Sequence, residues 1–118
     1  MTHYLLSVHT SSGERREPPS EEQMREYAGR IDALETEMRA AGALKFSGRL
    51  DNPDTASVIR ATNGAVQTTD GPFLESKEAI GGFYIIDAPT PDAAREWATK
   101  TSAVVGMPIE LRPFLDTR

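Results

Sequence analysis

The segment Gly82-Phe83-Tyr84-Ile85-Ile86-Asp87 restricts the fold more than any other stretch of the chain. Successive side chains of a strand point to opposite faces, so Phe83 and Ile85 look one way while Tyr84 and Ile86 look the other. A strand that is apolar on both sides belongs in a sheet covered on both sides. What can supply the cover depends on the elements around it.

Residues 4–8 are a short apolar run and read as a first strand. Residues 10–19 are polar, with Gly13 and Pro18-Pro19, and read as a loop. Ser20, with Gln23 three residues on, has the spacing of a capping box that opens a helix. Met24, Tyr27, Ala28, Ile31, Leu34, Met38 and Ala41 then follow at steps of three and four, which make one apolar stripe. Gly42 supplies the left-handed residue that ends the helix. Residues 44–50 read as a second strand, weakened by Gly48, and Asp51-Asn52-Pro53-Asp54 as a turn. Residues 56–62 and 66–69 flank Asn63-Gly64, a strong local signal for a tight hairpin, and Asp70-Gly71-Pro72 ends the second arm. After the apolar strand at 82–87, Thr90-Pro91-Asp92 begins a second helix with Pro in its first turn and Asp favoured by the helix dipole. Ala93, Ala94, Trp97 and Ala98 form its apolar side, and residues 109–114 alternate as a last strand.

This order predicts an α+β fold of the ferredoxin-like βαββαβ plan with an inserted hairpin arm. A length of 118 residues points to a single domain over 1–118. Two helices cover one face of such a sheet, and the chain has no spare element for the other. A second copy is the simplest cover, so the expected assembly is a homodimer with sheets packed face to face.

A net charge of -5 and a pI near 5.0 argue against a phosphate-binding surface, and nucleic acid is not expected as a partner. The chain has no cysteine, which excludes disulfides, thiolate metal sites and cysteine nucleophiles. Two scattered histidines do not assemble the usual ligands of zinc, so no metal and no other cofactor is expected. The start of the chain lacks the pattern of a signal peptide, and no run is long and apolar enough to span a bilayer. A cytoplasmic protein without membrane contact is the expectation.

The run Asp70-Gly71-Pro72-Phe73-Leu74-Glu75-Ser76-Lys77-Glu78-Ala79-Ile80-Gly81-Gly82-Phe83-Tyr84-Ile85-Ile86-Asp87 resembles the signature of the DGPF branch of the YCII-related family. Its elements are D-G-P-F, then E-x-K-E, a paired glycine, aromatics and a closing Asp. The resemblance extends over nearly the whole chain, with Ala40-Ala41-Gly42, Glu96-Trp97-Ala98 and Ile109-Glu110-Leu111-Arg112-Pro113 in agreement. It implies a dimeric α+β barrel, the architecture of muconolactone isomerases and small cofactor-free monooxygenases. It also implies acid–base chemistry in some relatives, through a His–Asp pair or in a dehydrochlorinase, and an association with sigma factors in others. This first helix has no histidine, where some relatives carry their base.

Several groups of residues could carry chemistry. Asp70, ahead of Gly71-Pro72, is either a general acid or base held on a tight turn or a turn residue whose carboxylate caps backbone amides. His9 at the end of the first strand has an intrinsic pKa suited to proton transfer, and alternation places it with Leu5 and Ser7, opposite Tyr4, Leu6 and Val8. Its only companion, His3, lies near the start of the chain. Glu75, Lys77 and Glu78 form a polar cluster in which Glu75 and Lys77 would position a substrate, or which is simply a solvated salt-bridge cluster. Phe73, Tyr84 and Trp97 would line a pocket for a flat molecule or simply fill the core. Gly81-Gly82 is followed by a strand instead of a helix, which fits a bulge or close backbone approach better than a phosphate loop.

Two functions fit these residues. One is a cofactor-independent pocket protein of lyase or isomerase type, acting on a small organic acid or phenolic compound. Asp70 and His9 would then move protons, while Phe73, Glu75, Lys77 and Tyr84 hold the substrate. The other is a non-catalytic dimeric interaction or regulatory module, tied to sigma-factor-type transcription control.

Overall fold

The computed structural model describes residues 2–11, 19–71 and 78–117. The chain forms β1 (Thr2–Ser11), α1 (Glu21–Ala40), β2 (Leu44–Arg49), β3 (Ser57–Thr62), β4 (Ala65–Asp70), β5 (Glu78–Ala88), α2 (Pro91–Val105) and β6 (Ile109–Pro113), with a short 3-10 turn at Pro53–Thr55. β2, β5, β1 and β6 make one antiparallel sheet in that order, while β3 and β4 pair with each other in a separate two-stranded sheet. Apart from the hairpin, this is the ferredoxin-like α+β arrangement.

Local chemistry explains where each helix starts and stops. The Ser20 hydroxyl accepts from the Gln23 backbone N–H at 3.2 Å, and the Gln23 side chain accepts from the Ser20 N–H at 3.0 Å, so the capping box of α1 is complete. Gly42, at φ 69°, takes the left-handed conformation that ends the helix. Thr90 caps α2 by accepting from the Ala93 N–H at 3.1 Å, with Pro91 in the first turn. Lys100 pairs with Glu37 and so ties the outer surface of α2 to α1.

Both helices lie on one face of the four-stranded sheet. Tyr4 and Leu6 of β1, Tyr84, Ile86 and Ala88 of β5, Leu34 and Met38 of α1 and Ala94 of α2 form the buried core. The apolar stripe of α1 is buried over only part of its length, because burial begins at Leu34. Met24, Ala28 and Ala41 are exposed, and Tyr27 and Ile31 are half-buried. A 20-residue helix is roughly 30 Å long, and its first half stands beyond the tightly packed region.

The opposite face carries Leu5, Phe46, Phe83 and Ile85, in keeping with strand alternation. None of the four is buried, and Phe46 is 59% exposed. Phe46 and Phe83 stack with ring centroids 5.8 Å apart.

At the hairpin, Asn63 (φ 51°) and Gly64 (φ 80°) are both left-handed, as the two central residues of a type I′ turn require. Every residue of β4 is exposed, and in β3 only Val58 is partly covered. The radius of gyration is 16.6 Å, where a compact chain of this length would have about 13.5 Å.

Candidate functional site

A concave, partly polar region lies beneath α1, where the helix passes over the β2–β5 side of the sheet. Tyr27, Ile31 and Glu35 recur every four residues along α1, so they form one row facing the strands. Below them are Ser47 and Gly48 of β2 and Gly82 and Tyr84 of β5. Val105 and Met107 close one side, and Arg49 with Asp51 stands at the rim. Together these residues enclose a cleft of about 720 Å³.

The glycines shape its floor. Val8 pairs with Gly82 and His9 with Ile80, so Gly81 is the extra residue of a β-bulge. A Cβ on Gly82 would lie 3.1 Å from the Gly48 carbonyl oxygen, tighter than ordinary packing. The bulge and the close approach expected of Gly81-Gly82 are both present.

Register then brings the polar groups together. Ser47 and Tyr84 are partners across β2 and β5, so their side chains sit side by side under α1. The Ser47 hydroxyl donates to Glu35 Oε1 at 3.0 Å. Tyr84 is only 7% exposed. Its hydroxyl takes part in none of the hydrogen bonds among the described residues, and no buried side-chain oxygen or nitrogen there lacks a partner. The hydroxyl therefore opens into the cleft. Burial, reinforced by the negative charge of Glu35 and by Tyr27, pushes the Tyr84 phenol up to about 12. It stays protonated at any ordinary pH and serves the cleft as a hydrogen-bond donor.

Of the other residues expected at a site, those described lie apart from the cleft. Asp70 is exposed at the end of β4, opposite Ser57 in the hairpin. His9 is half-buried in β1, with Nε2 hydrogen-bonded to the Ser7 hydroxyl at 2.9 Å, on the face opposite the helices. Neither is among the described residues that line the cleft. Phe73, Glu75 and Lys77 lie outside the described residues. Trp97 packs against the core and carries Lys100 over its ring at 5.1 Å.

Two groupings escaped the sequence reading. His3 sits inside β1, where its Nδ1 pairs with Asp87, its partner across to β5, and Lys45 Nζ lies 3.2 Å from the other Asp87 oxygen. The sequence pattern does not single out Glu35 either. Its signal was a carboxylate one position beyond Leu34, next to the apolar stripe and in line with Tyr27 and Ile31. Among the described residues, no group of three or more His, Asp or Glu is arranged to hold a metal ion. Within those residues, too, no helix is long and apolar enough to cross a membrane.

Comparison with known proteins gives the family of the chain. The family model of the YCII-related domain matches residues 1–112. An uncharacterised protein of Rhizobium meliloti (strain 1021) is 35% identical over 72 residues, which make up 61% of this chain and 58% of that protein. The chain thus spans less than two thirds of the length of that relative.

Proposed function

Since the chain belongs to the YCII-related family and its matched relative carries no assigned activity, we propose a role read from its own cleft: binding a small organic acid or phenolic compound, in a homodimer. The observation that carries the binding half is the cleft itself. Its volume of about 720 Å³ falls within the roughly 300–1,000 Å³ of small-molecule sites. Its lining follows their usual composition, apolar and aromatic walls with a few convergent polar groups. Tyr27 offers a ring surface to a flat molecule, and Arg49 at the rim offers a cation to a carboxylate or phenolate. Glu35, Ser47 and the Tyr84 hydroxyl are groups suited to acid–base chemistry on such a ligand. The proposal does not rest on Asp70 or His9, which belong to separate sheets.

The dimer half rests on the uncovered sheet face, where Leu5, Phe46, Phe83 and Ile85 leave apolar surface in contact with water. A second copy placed sheet to sheet would cover it.

Thermal-shift measurements against a library of small carboxylic acids and phenols test the binding half. A ligand of the folded state raises the midpoint, and Ile31→Trp, which fills the cleft from the helix side, should abolish the rise. A library that moves the midpoint nowhere removes this reading. Sedimentation equilibrium tests the dimer, with Phe46→Glu expected to yield monomer. A wild-type chain that stays monomeric at every concentration removes that half.

A further inference from the structure

Within the cleft, one carboxylate and one neutral phenol share a short stretch of wall, and their spacing is set by the sheet. We propose that Glu35 and Tyr84 form an enolisation site, with Glu35 as proton acceptor and the Tyr84 hydroxyl as donor to the oxygen of a small carbonyl compound. This rests on the reading that the cleft binds a small organic molecule, and it specifies the ligand as one with an acidic C–H next to a carbonyl.

The argument is geometric. Ser47 occupies Glu35 Oε1 at 3.0 Å, which orients the carboxylate and leaves its second oxygen for a ligand. Ser47 and Tyr84 are cross-strand partners, so the phenol stands beside the group that holds the carboxylate. The influence of the Glu35 charge on the phenol reflects the same closeness, and the phenol in turn remains a donor at neutral pH. Ile31, Val105 and Met107 contribute apolar wall, which lowers the local dielectric and strengthens both interactions.

The step balances without a co-reactant. Glu35 takes the proton from the carbon beside the carbonyl, so a C–H bond breaks and an O–H bond forms on the carboxyl group. The released electron pair becomes the new C=C bond, and the carbonyl π pair moves onto the oxygen. That oxygen, now an enolate, is held by the Tyr84 hydroxyl. When the proton on Glu35 is replaced by one from solvent before it returns to the same carbon, the result is exchange, and return to a conjugated carbon gives an isomer. Nothing is oxidised or reduced.

Proton NMR in D2O tests this with three enolisable probes, acetylacetone, phenylpyruvate and 2-oxobutanoate, whose binding is scored separately by thermal shift. For at least one probe that binds, the signal next to the carbonyl should vanish at least about 10-fold faster than in buffer. Glu35→Gln should then slow the exchange by about 100-fold or more, the usual share of a general base, while the thermal shift persists. Tyr84→Phe, which keeps the packing, should slow it by about 100-fold, as loss of an oxyanion donor does. Binding with exchange at the buffer rate, or wild-type exchange in Glu35→Gln, overturns the proposal and leaves the binding reading intact. If none of the three probes binds, the site does not take carbonyl compounds and the proposal falls, whereas the acid and phenol library decides the wider reading by itself.

Discussion

The four-stranded sheet and the β3–β4 hairpin are both antiparallel and fully paired, yet their environments differ sharply. In β5 every second residue from Gly82 to Ala88 is buried under the helices, whereas all six residues of β4 are exposed. Ile59 and Val66 of the hairpin are 66% and 70% exposed, although they have the β-branched shape favoured in strands. Backbone pairing alone therefore buries nothing in this protein. The sheet gains its core from two βα crossovers that fold helices back over it, and the hairpin, closed by a two-residue turn, has no such return. A two-stranded hairpin in water is marginal by itself, which makes Asn63-Gly64 the main local source of its order.

If the contrast holds, substitutions in the two regions should differ by several-fold in their effect on stability. The largest effect belongs to the core. Met38 is 0% exposed between α1 and the sheet, and Met38→Ala should cost about 2–5 kcal/mol in denaturant unfolding. A cost near zero would mean that the helix layer is not the stabilising half of the molecule.

The next effect is pH-linked. The Tyr84 phenol is raised from 10.0 to about 12, first by burial and then by Glu35 and Tyr27. The fold thus favours the neutral form. That contribution is complete below pH 10 and disappears as the pH climbs through about 12. Two units correspond to about 3 kcal/mol at most. Stability curves of wild type and Tyr84→Phe should diverge across this window, with the wild type losing more. Parallel curves would place the phenol in water and dissolve the cleft's polar pair.

The smallest effect is expected in the arm. Ile59→Ala should move the unfolding midpoint by less than about 0.5 kcal/mol, since so exposed a side chain loses little. A cost comparable with that of Met38→Ala would show that the hairpin is packed in solution, against a second copy or another surface, and the comparison would have to be redrawn.

The legible parts of the fold are those written in neighbouring residues. Ser20 with Gln23, Thr90 with Pro91 and Asn63 with Gly64 all predict a cap or turn that the structure contains. The alternation at 82–87 likewise predicts which side chains face the helices. The stripe of α1 was readable as a stripe, but not the point at Leu34 where its burial starts, because that depends on where the sheet ends. The site was legible only in fragments. Tyr84 could be named as a pocket aromatic, but Glu35 looked like one more surface charge on a helix rich in them. What gives Glu35 meaning is Ser47, twelve residues away, and Tyr84, which the β2–β5 register places next to Ser47.

The amino-acid order by itself determined the number, type and ends of most elements, since caps, left-handed turns and alternating side chains act over a few bonds. Only the tertiary structure decided that β5 runs between β1 and β2, that the hairpin stands apart, and that a carboxylate, a hydroxyl and a phenol meet in one cleft. These are contacts between residues distant along the chain, and their energies depend on how whole elements pack rather than on any local pattern.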